Sequence, residues 1–194
     1  MQKTFLVLLL FMGIRAAQAS DTDSTVKTIA VQMDMFDFMA KGFSVWGVYT
    51  HGQNRFFLDG GRNELPDFLN PDSEFFYETR SYFVQGGYYR LLSKPSGLFI
   101  GVEAIYQQME IEYKSTQELS NNVVVRVGPV VGYEIKPFKH SASNISIVPW
   151  ISERIPVVNE SVAFVSTEQT YTTATFNFVM GCNVSLAFDI GKKQ

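Results

Sequence analysis

The chain contains few side chains of the types that usually perform catalysis. Its two histidines, His51 and His140, stand in turn-like segments, and neither belongs to a recognisable arrangement with Asp or Ser. Since general base chemistry most often uses histidine, a carboxylate pair such as Glu103 and Glu134 is the other candidate. Both carboxylates fall at the small-residue positions of strand-like segments, where structural ion pairs are the simpler interpretation. The sequence therefore predicts no catalytic residues.

Metal ligands are equally scarce. Neither histidine has a second ligand at the spacing of a zinc site, and the single Cys182 falls among apolar strand residues. Acidic residues collect between 61 and 79, but they lack the spacing of an EF-hand and are typical of a solvated loop. We expect no metal and no cofactor. With one cysteine, an internal disulfide framework is excluded.

The N-terminus has the three parts of a secretory signal peptide. A basic start with Lys3 precedes an apolar run over 4–14, and Ala17-Gln18-Ala19 supplies a small-x-small cleavage site before Ser20. A membrane helix would need about 20 apolar residues, and Arg15 interrupts the run. The sequence predicts a signal peptide over 1–19, cleavage between Ala19 and Ser20, and one exported domain over 20–194.

The charge of that domain argues against nucleic acid as a partner. Removal of the signal peptide leaves 14 of the 16 Lys and Arg residues against 19 Asp and Glu. Nucleic-acid-binding domains carry a basic patch or stripe, and no such patch interleaved with aromatics occurs here.

Alternation with period two dominates the rest of the chain and predicts an all-β fold. Pro129 and Pro149 fall inside two of the candidate strands, although proline cannot donate to a strand ladder. The eight candidates are Lys27 to Asp34, Phe43 to Tyr49, Arg55 to Gly60, Arg80 to Leu91, 97–113, Asn122 to Lys136, Ile145 to Ile155, and a last strand ending at Ile190.

Long and short connections alternate along these strands. The links near 51, 95 and 140 are short, whereas those at 61–79, 114–121 and 158–171 are longer and polar. Alternation places each class at one end of an antiparallel up-and-down barrel. Transmembrane barrels of the outer membrane have short periplasmic turns and longer extracellular loops, so an eight-stranded barrel of this kind is predicted.

The two faces of the strands differ in chemistry. In 97–113, Leu98 and Val102 share one face, and Glu103 lies on the other with Gly101. A lipid-facing exterior around a polar lumen produces this division. The sequence therefore predicts a structural polar network in the lumen, formed by Glu103, Arg126, Glu134 and Asp189. Arg126 is expected to pair with Glu103, Glu134 or another lumen carboxylate, because an unpaired buried charge costs several kcal/mol.

Aromatic residues near the predicted strand ends favour membrane interfaces. Tyr106 and Phe176 are expected near the long loops. The expected girdle near the short turns consists of Tyr49, Phe56, Tyr89, Phe138 and Phe188.

A soluble barrel remains an alternative to the membrane barrel. A lipocalin-like protein would place the apolar face inside, around an apolar ligand, and the polar face in water. Periodicity alone does not separate the two folds. The loop asymmetry, the aromatic girdles and the even strand number favour the membrane.

Several segments together carry a resemblance to a known class of proteins. They are Gly42-Phe43-Ser44, ELPDFLNPDSEFF at 64–76, Gly-Tyr-Tyr-Arg at 87–90, VGPVVGYEIKPFK at 127–139 and the alternating terminal strand. The chain resembles uncharacterised small, eight-stranded outer-membrane β-barrel proteins of bacteria. Such barrels often end on an aromatic residue, whereas here six residues follow Phe188.

The resemblance implies an outer-membrane location and a structural or surface-interaction role. Some small barrels are lipid A hydrolases or acyltransferases, which use Ser or His with a carboxylate near the outer leaflet, and this is a further alternative. An eight-stranded barrel is only wide enough to be filled by side chains, so a closed lumen is expected. The expected partners of this monomer are membrane lipid and an extracellular ligand or protein at loops 61–79, 114–121 and 158–171.

Overall fold

The computed structural model describes residues 27–39, 41–64, 75–92, 97–137, 144–159, 162–164, 170–171 and 177–190. The predicted signal peptide 1–19 and its cleavage site at Ala19 and Ser20 lie outside these ranges and stay predictions. Phe138, His140 and Phe176 also lie outside them.

Strands form nearly all of the described chain. One short helix, α1, is Met35–Met39, and a two-stranded sheet consists of β8 (Val162–Ala163) and β9 (Thr170–Tyr171). The remaining strands are β1 (Lys27–Asp34), β2 (Phe43–His51), β3 (Asn54–Asn63), β4 (Phe76–Leu91), β5 (Leu98–Tyr113), β6 (Glu118–Tyr133), β7 (Ile145–Asn159) and β10 (Asn177–Ile190).

Within the described residues, eight antiparallel strands close into a barrel in the order β1-β10-β7-β6-β5-β4-β3-β2. The first strand completes the closure, since Lys27 is opposite Ile190 on β10 and opposite His51 on β2. The predicted eight-stranded up-and-down barrel is confirmed. In the same part of the chain, no helix combines the length and apolar character needed to cross a membrane.

The strand bounds were predicted closely at the short-turn end and less well at the other. Strand β6 begins at Glu118, so the predicted loop 114–121 shrinks to a tight turn in which Gln117 has a positive φ of 57°. Likewise β7 continues to Asn159. Pro129 is tolerated in β6 beside an irregular stretch of the β6–β7 ladder, where Ser152 Oγ donates to its carbonyl at 3.0 Å.

Two elements were missed at the long-loop end. Helix α1 lies in the link between the first two predicted strands, and the small β8–β9 sheet lies inside the predicted polar loop 158–171. Both are too short to give a periodic signal.

The strands differ in length, so the barrel wall extends further at the long-loop end on one side than on the other. Strands β1, β2 and β3 have 8, 9 and 10 residues, whereas β4, β5 and β6 have 16 each. Because β3 ends at Asn63 opposite Ser81, the first residues of β4 continue beyond the rim of β3. The extra length is all at the long-loop end.

Large apolar side chains cover the outer face. Leu58 is 65% exposed, and Val31, Val84 and Val102 are about half exposed. Charged outward residues such as Arg62 and Glu110 occur near the long loops, and Glu153 lies on β7 opposite Phe178, the second residue of β10. The apolar band surrounds the middle of the barrel.

Candidate functional site: the barrel lumen

The lumen is filled in three layers. An aromatic cluster occupies the short-turn end, charged and amide side chains occupy the middle, and a second apolar cluster occupies the long-loop end. The inward parity of each strand supplies these side chains.

Four rings from successive strands stack along the short-turn end. Ring centroids are 4.9 Å apart for Trp46 and Phe57, 4.5 Å for Phe57 and Tyr89, and 4.8 Å for Tyr89 and Phe99. Tyr89 is therefore a lumen residue, and its assignment to the outer girdle was wrong. Its neighbour Tyr88 faces outward beside Phe56, at 5.3 Å.

Glycines on neighbouring strands create the space for this stack. A Cβ on Gly87 would lie 2.4 Å from a Phe57 ring carbon, and one on Gly101 would lie 2.5 Å from Tyr89. The same relation holds for Gly132 under Phe99, at 2.2 Å. Each ring therefore packs against the backbone of a glycine on the next strand.

The polar layer is centred on an ion pair across the lumen. Arg154 Nε on β7 donates to Glu103 Oε1 on β5 at 2.6 Å, and Glu103 is only 3% exposed. Gln85 on β4 joins both, because its amide nitrogen donates to Glu103 Oε2 at 2.8 Å and its oxygen accepts from Arg154 Nη2 at 2.9 Å. The Arg154 guanidinium also stacks over Trp150, 5.5 Å from the ring centroid.

Arg126 lies buried in the same layer with a different partner. It donates to the side-chain oxygen of Gln107, whose amide nitrogen donates to Ser81 Oγ at 2.7 Å. The two carboxylates named in the sequence analysis as partners of Arg126 pair with other arginines. Glu103 pairs with Arg154, and Glu134 pairs with Arg55.

Asp59 is an unusual member of the polar layer. It is 3% exposed, and neither carboxylate oxygen has a hydrogen-bond partner, although the Gly60 backbone N–H is close by. Arg154 is within electrostatic reach, but Asp34 and Asp37 are as well, and they oppose a negative charge there. Buried charges are normally paired, so this carboxylate destabilises the barrel when it is ionised.

A second network joins the strands at which the barrel closes. Asn183 on β10 donates to Gln32 Oε1 on β1 at 3.1 Å and accepts from Trp150 Nε1 at 3.0 Å. These amide and indole groups are buried and mutually satisfied, so they fix the register of β1 against β10.

The long-loop end is closed by the β8–β9 sheet. Phe164, which follows β8, is fully buried and lies 5.3 Å from Phe76 and 5.8 Å from Tyr113. Tyr171 contacts Phe76 edge-on at 5.4 Å. This lid packs on Met109 and Ile111, so the mouth is filled by apolar side chains.

A small polar cavity opens at the short-turn mouth. It has a volume of about 70 Å³, and its lining includes Arg55, Glu134, Lys136 and Asp189. Arg55 donates to Glu134. Burial raises the pKa of Glu134, but the charge and hydrogen bond of Arg55, with the charge of Lys136, outweigh burial and hold that pKa below the ordinary 4.5.

The predicted network residues thus separate into different places. Glu103 and Arg126 belong to the polar layer, whereas Glu134 and Asp189 line the mouth cavity. Arg154, Gln85 and Asp59 were missed, although all three lie at inward-facing strand positions and alternation could have indicated them. Gln107 lies on the same face of its strand as Glu103, as the alternation in 97–113 indicates.

The described part of the lumen contains no histidine and no cluster of metal-ligating side chains. His51 is exposed at the end of β2, away from the polar layer. Among the described residues, no three His, Cys, Asp or Glu side chains gather where they could hold a metal ion. Cys182 is a free thiol on the outward parity of β10.

Comparison with known proteins gives matches among solved structures only. No family model and no curated protein matches the chain. A major outer membrane protein from Thermus thermophilus matches with a TM-score of 0.45 at 10% identity, over 84% of this chain and 99% of that chain. Neisserial surface protein A matches with a TM-score of 0.42 at 13% identity, over 85% and 96% respectively. At these values the similarity assigns no function to the chain.

Proposed function

We propose that the chain is an outer-membrane β-barrel protein with a structural or surface-interaction role and a lumen closed by its own side chains. The supporting observation is the inverted distribution of polarity. Valine, leucine and phenylalanine side chains are exposed around the barrel, while Glu103, Arg154 and Asp59 are buried inside it. Lipid as the outer solvent accounts for this inversion.

The soluble lipocalin-like alternative has less support. Such a barrel needs an apolar cavity for its ligand, but the described lumen is filled by two aromatic clusters and a charged layer. Its outer surface would also present a contiguous apolar band to water, which soluble monomers rarely do.

Neither catalysis nor conduction is favoured. A lipid A-modifying enzyme would need a Ser or His with a carboxylate near the outer leaflet, and His51 stands at the short-turn end. An open pore would need both aromatic clusters to separate. The connections at the long-loop end, within the ranges 61–79, 114–121 and 158–171, are the surfaces proposed for an extracellular ligand or protein.

Membrane insertion is tested first by fractionation and heat-modifiable migration on a gel. We expect the protein in the outer-membrane fraction, with the unheated barrel migrating differently from the heated chain. Recovery in the soluble periplasmic fraction would support the lipocalin-like alternative. Planar bilayers should show no steady conductance, and a stable open channel would overturn the closed lumen.

Orientation is tested with two epitope insertions in one background. An epitope near Asn70, between β3 and β4, should be labelled on intact cells because long loops face outward. An epitope near Ser141, between β6 and β7, should be labelled only after permeabilisation. The opposite pattern would invert the proposed topology.

A further inference from the structure

Helix α1 occupies a place in the wall that β1 is too short to reach. Strand β1 ends at Asp34, which is opposite Asn183, whereas β10 already begins at Asn177. The chain turns there into α1, which contacts both β10 and β2. The helix therefore stands beside the part of β10 that β1 does not cover.

The polar groups of this segment are bound to the barrel. Asp34 Oδ1 accepts from the Phe36 backbone N–H at 2.7 Å, and Asp34 is buried. Asp37 Oδ1 accepts from Asn63 Nδ2 at the end of β3, at 3.2 Å, and the Asp37 carbonyl accepts from the Gly42 N–H at 2.7 Å. These bonds tie α1 to the ends of β1 and β3 and so fix its orientation.

The other side of α1 is an exposed apolar surface. Phe36 and Phe38 are 44% and 56% exposed, and Met35 is about half exposed. Met33 on β1 and Val45 on β2 face outward next to them, so this surface continues the apolar band. With the neighbouring exposed residues of β2 and β10, it forms the α1 patch: Met35, Phe36, Phe38, Phe43, Phe178 and Met180. Contiguous patches of this kind mark contact with a partner or a membrane.

Strand β1 alone does not span an apolar layer of the usual height. Strands rise about 3.3 Å per residue and are tilted by about 40° in membrane barrels, whose apolar band is about 25 Å tall. The 8 residues of β1 therefore reach only about 20 Å along the barrel axis. The missing height lies at the end of β1 that α1 follows.

We propose that the α1 patch inserts among the lipid acyl chains of the leaflet at the long-loop end and completes the apolar band beyond β1. The proposal rests on the membrane location proposed above. Glu153 on β7 has the outward parity and is opposite Phe178, so charged side chains begin at this level of the outer face. The patch thus lies just beneath the headgroups, the level that aromatic side chains favour.

The first test places a spin label at F38C in a C182S background, in protein refolded at low density into phosphatidylcholine vesicles. Relaxation by oxygen, which partitions into lipid, is compared with relaxation by a water-soluble nickel chelate. We expect oxygen to dominate at F38C. The chelate should dominate at S115C, an exposed position in the β5–β6 turn at the same end of the barrel. M35C is the second site on the patch if F38C does not fold.

The second test measures urea unfolding in thin dilauroyl- and thicker dioleoylphosphatidylcholine bilayers. F36Q/F38Q should raise the equilibrium constant for unfolding by roughly tenfold for each ring. The loss should be larger in the thicker bilayer, where the mismatch with β1 is greater. Leu119→Gln is the matched control, because Leu119 is 57% exposed but lies opposite Glu112 near the β5–β6 turn, and it should be near neutral in both bilayers.

Three results would overturn the proposal: relaxation by the chelate at F38C and M35C, equal losses in F36Q/F38Q and Leu119→Gln, or spin–spin broadening between F38C labels, which would assign the patch to a second copy of the chain. A label on the native Cys182 reports insertion separately. If that label prefers the chelate, the proposed membrane location fails. If it prefers oxygen while F38C does not, only the role of α1 fails.

Discussion

Arg154 on β7 and Glu103 on β5 form an ion pair across the lumen, with 2.6 Å between Nε and Oε1. The two strands are separated by β6 in the wall, so the pair forms inside the lumen over the inner face of β6 and not between neighbouring strands. Gln85 binds both partners and ties β4 into the same contact. Three strands are thereby held at one relative height.

Removal of one partner should be costly. Arg154→Met leaves the Glu103 carboxylate buried without its cation, and breaking a buried pair in this way costs about 3–5 kcal/mol. Urea titration of the refolded barrel measures the loss. The double variant E103Q/R154M removes both charges and should recover much of the stability. A double variant as unstable as Arg154→Met would show that the charge pair is not the cause.

The lumen-facing glycines should not tolerate a side chain. In Gly101→Ala the added Cβ would lie 2.1 Å from the Tyr88 carbonyl and 2.5 Å from the Tyr89 ring. Overpacking of this kind costs about 1–3 kcal/mol. The outward Gly47→Ala is the matched control, because its nearest neighbour would be 3.9 Å away. Equal effects of the two changes in unfolding experiments would contradict the packing of the aromatic stack.

Asp59 should be a position where neutralisation stabilises the protein. Both of its oxygens are buried without hydrogen-bond partners, so Asp59→Asn should raise the free energy of unfolding at neutral pH by about 1 kcal/mol or more. Glu112→Gln, at a half-exposed position on β5, is the control and should be near neutral. A destabilised Asp59→Asn variant would indicate that the carboxylate has a stabilising partner.

Glu134 should make stability depend on acid pH. Its pKa is held below 4.5 despite burial, by Arg55 and then Lys136. A carboxylate with a lowered folded-state pKa stabilises the fold above its unfolded pKa, and this contribution is lost as the pH falls through the folded value. Unfolding measured from neutral pH to below 4.5 should therefore show a decline that Glu134→Gln reduces. Glu64→Gln, in a more exposed pair with Arg62, should leave the decline in place.

Cys182 supplies a native position for testing the orientation of β10. Its side chain belongs to the outward parity, whereas that of Asn183 is buried in the lumen. A spin label on Cys182 in vesicles should be relaxed by oxygen, which partitions into lipid, more than by a water-soluble nickel chelate. A label on N183C in a C182S background should lose that accessibility. The reverse order would exchange the two faces of the strand.

The barrel strands could be predicted from the sequence because the alternation of inward and outward residues is visible within each strand. Strand β1 was bounded correctly at both ends, and Glu103 lies on the face that its small neighbours indicated. The partner of Glu103 was not predictable in this way, because Arg154 is 51 residues away and meets it only after closure fixes the heights of all the strands.

Tyr89 shows a second limit. In the run Gly-Tyr-Tyr-Arg, both aromatic residues suit a membrane girdle, and alternation within this run alone does not say which one faces the lumen. Residues on neighbouring strands determine that Tyr89 is the one in the lumen, because Phe57 and Phe99 stack on its ring and Gly101 leaves space for it. The β8–β9 lid was missed for a related reason, as its two-residue strands depend on the apolar mouth beneath Phe164.

The register of β1 against β10 has a consequence for how the chain can be rearranged. Lys27 and Ile190 are opposite each other, so the first and last strands end side by side at the short-turn rim. A brief linker could therefore join them, and new chain ends could be opened at another connection without removing any strand pair. Circularly permuted versions of this barrel should keep the same strand pairs, although the strands would be synthesised in a different order.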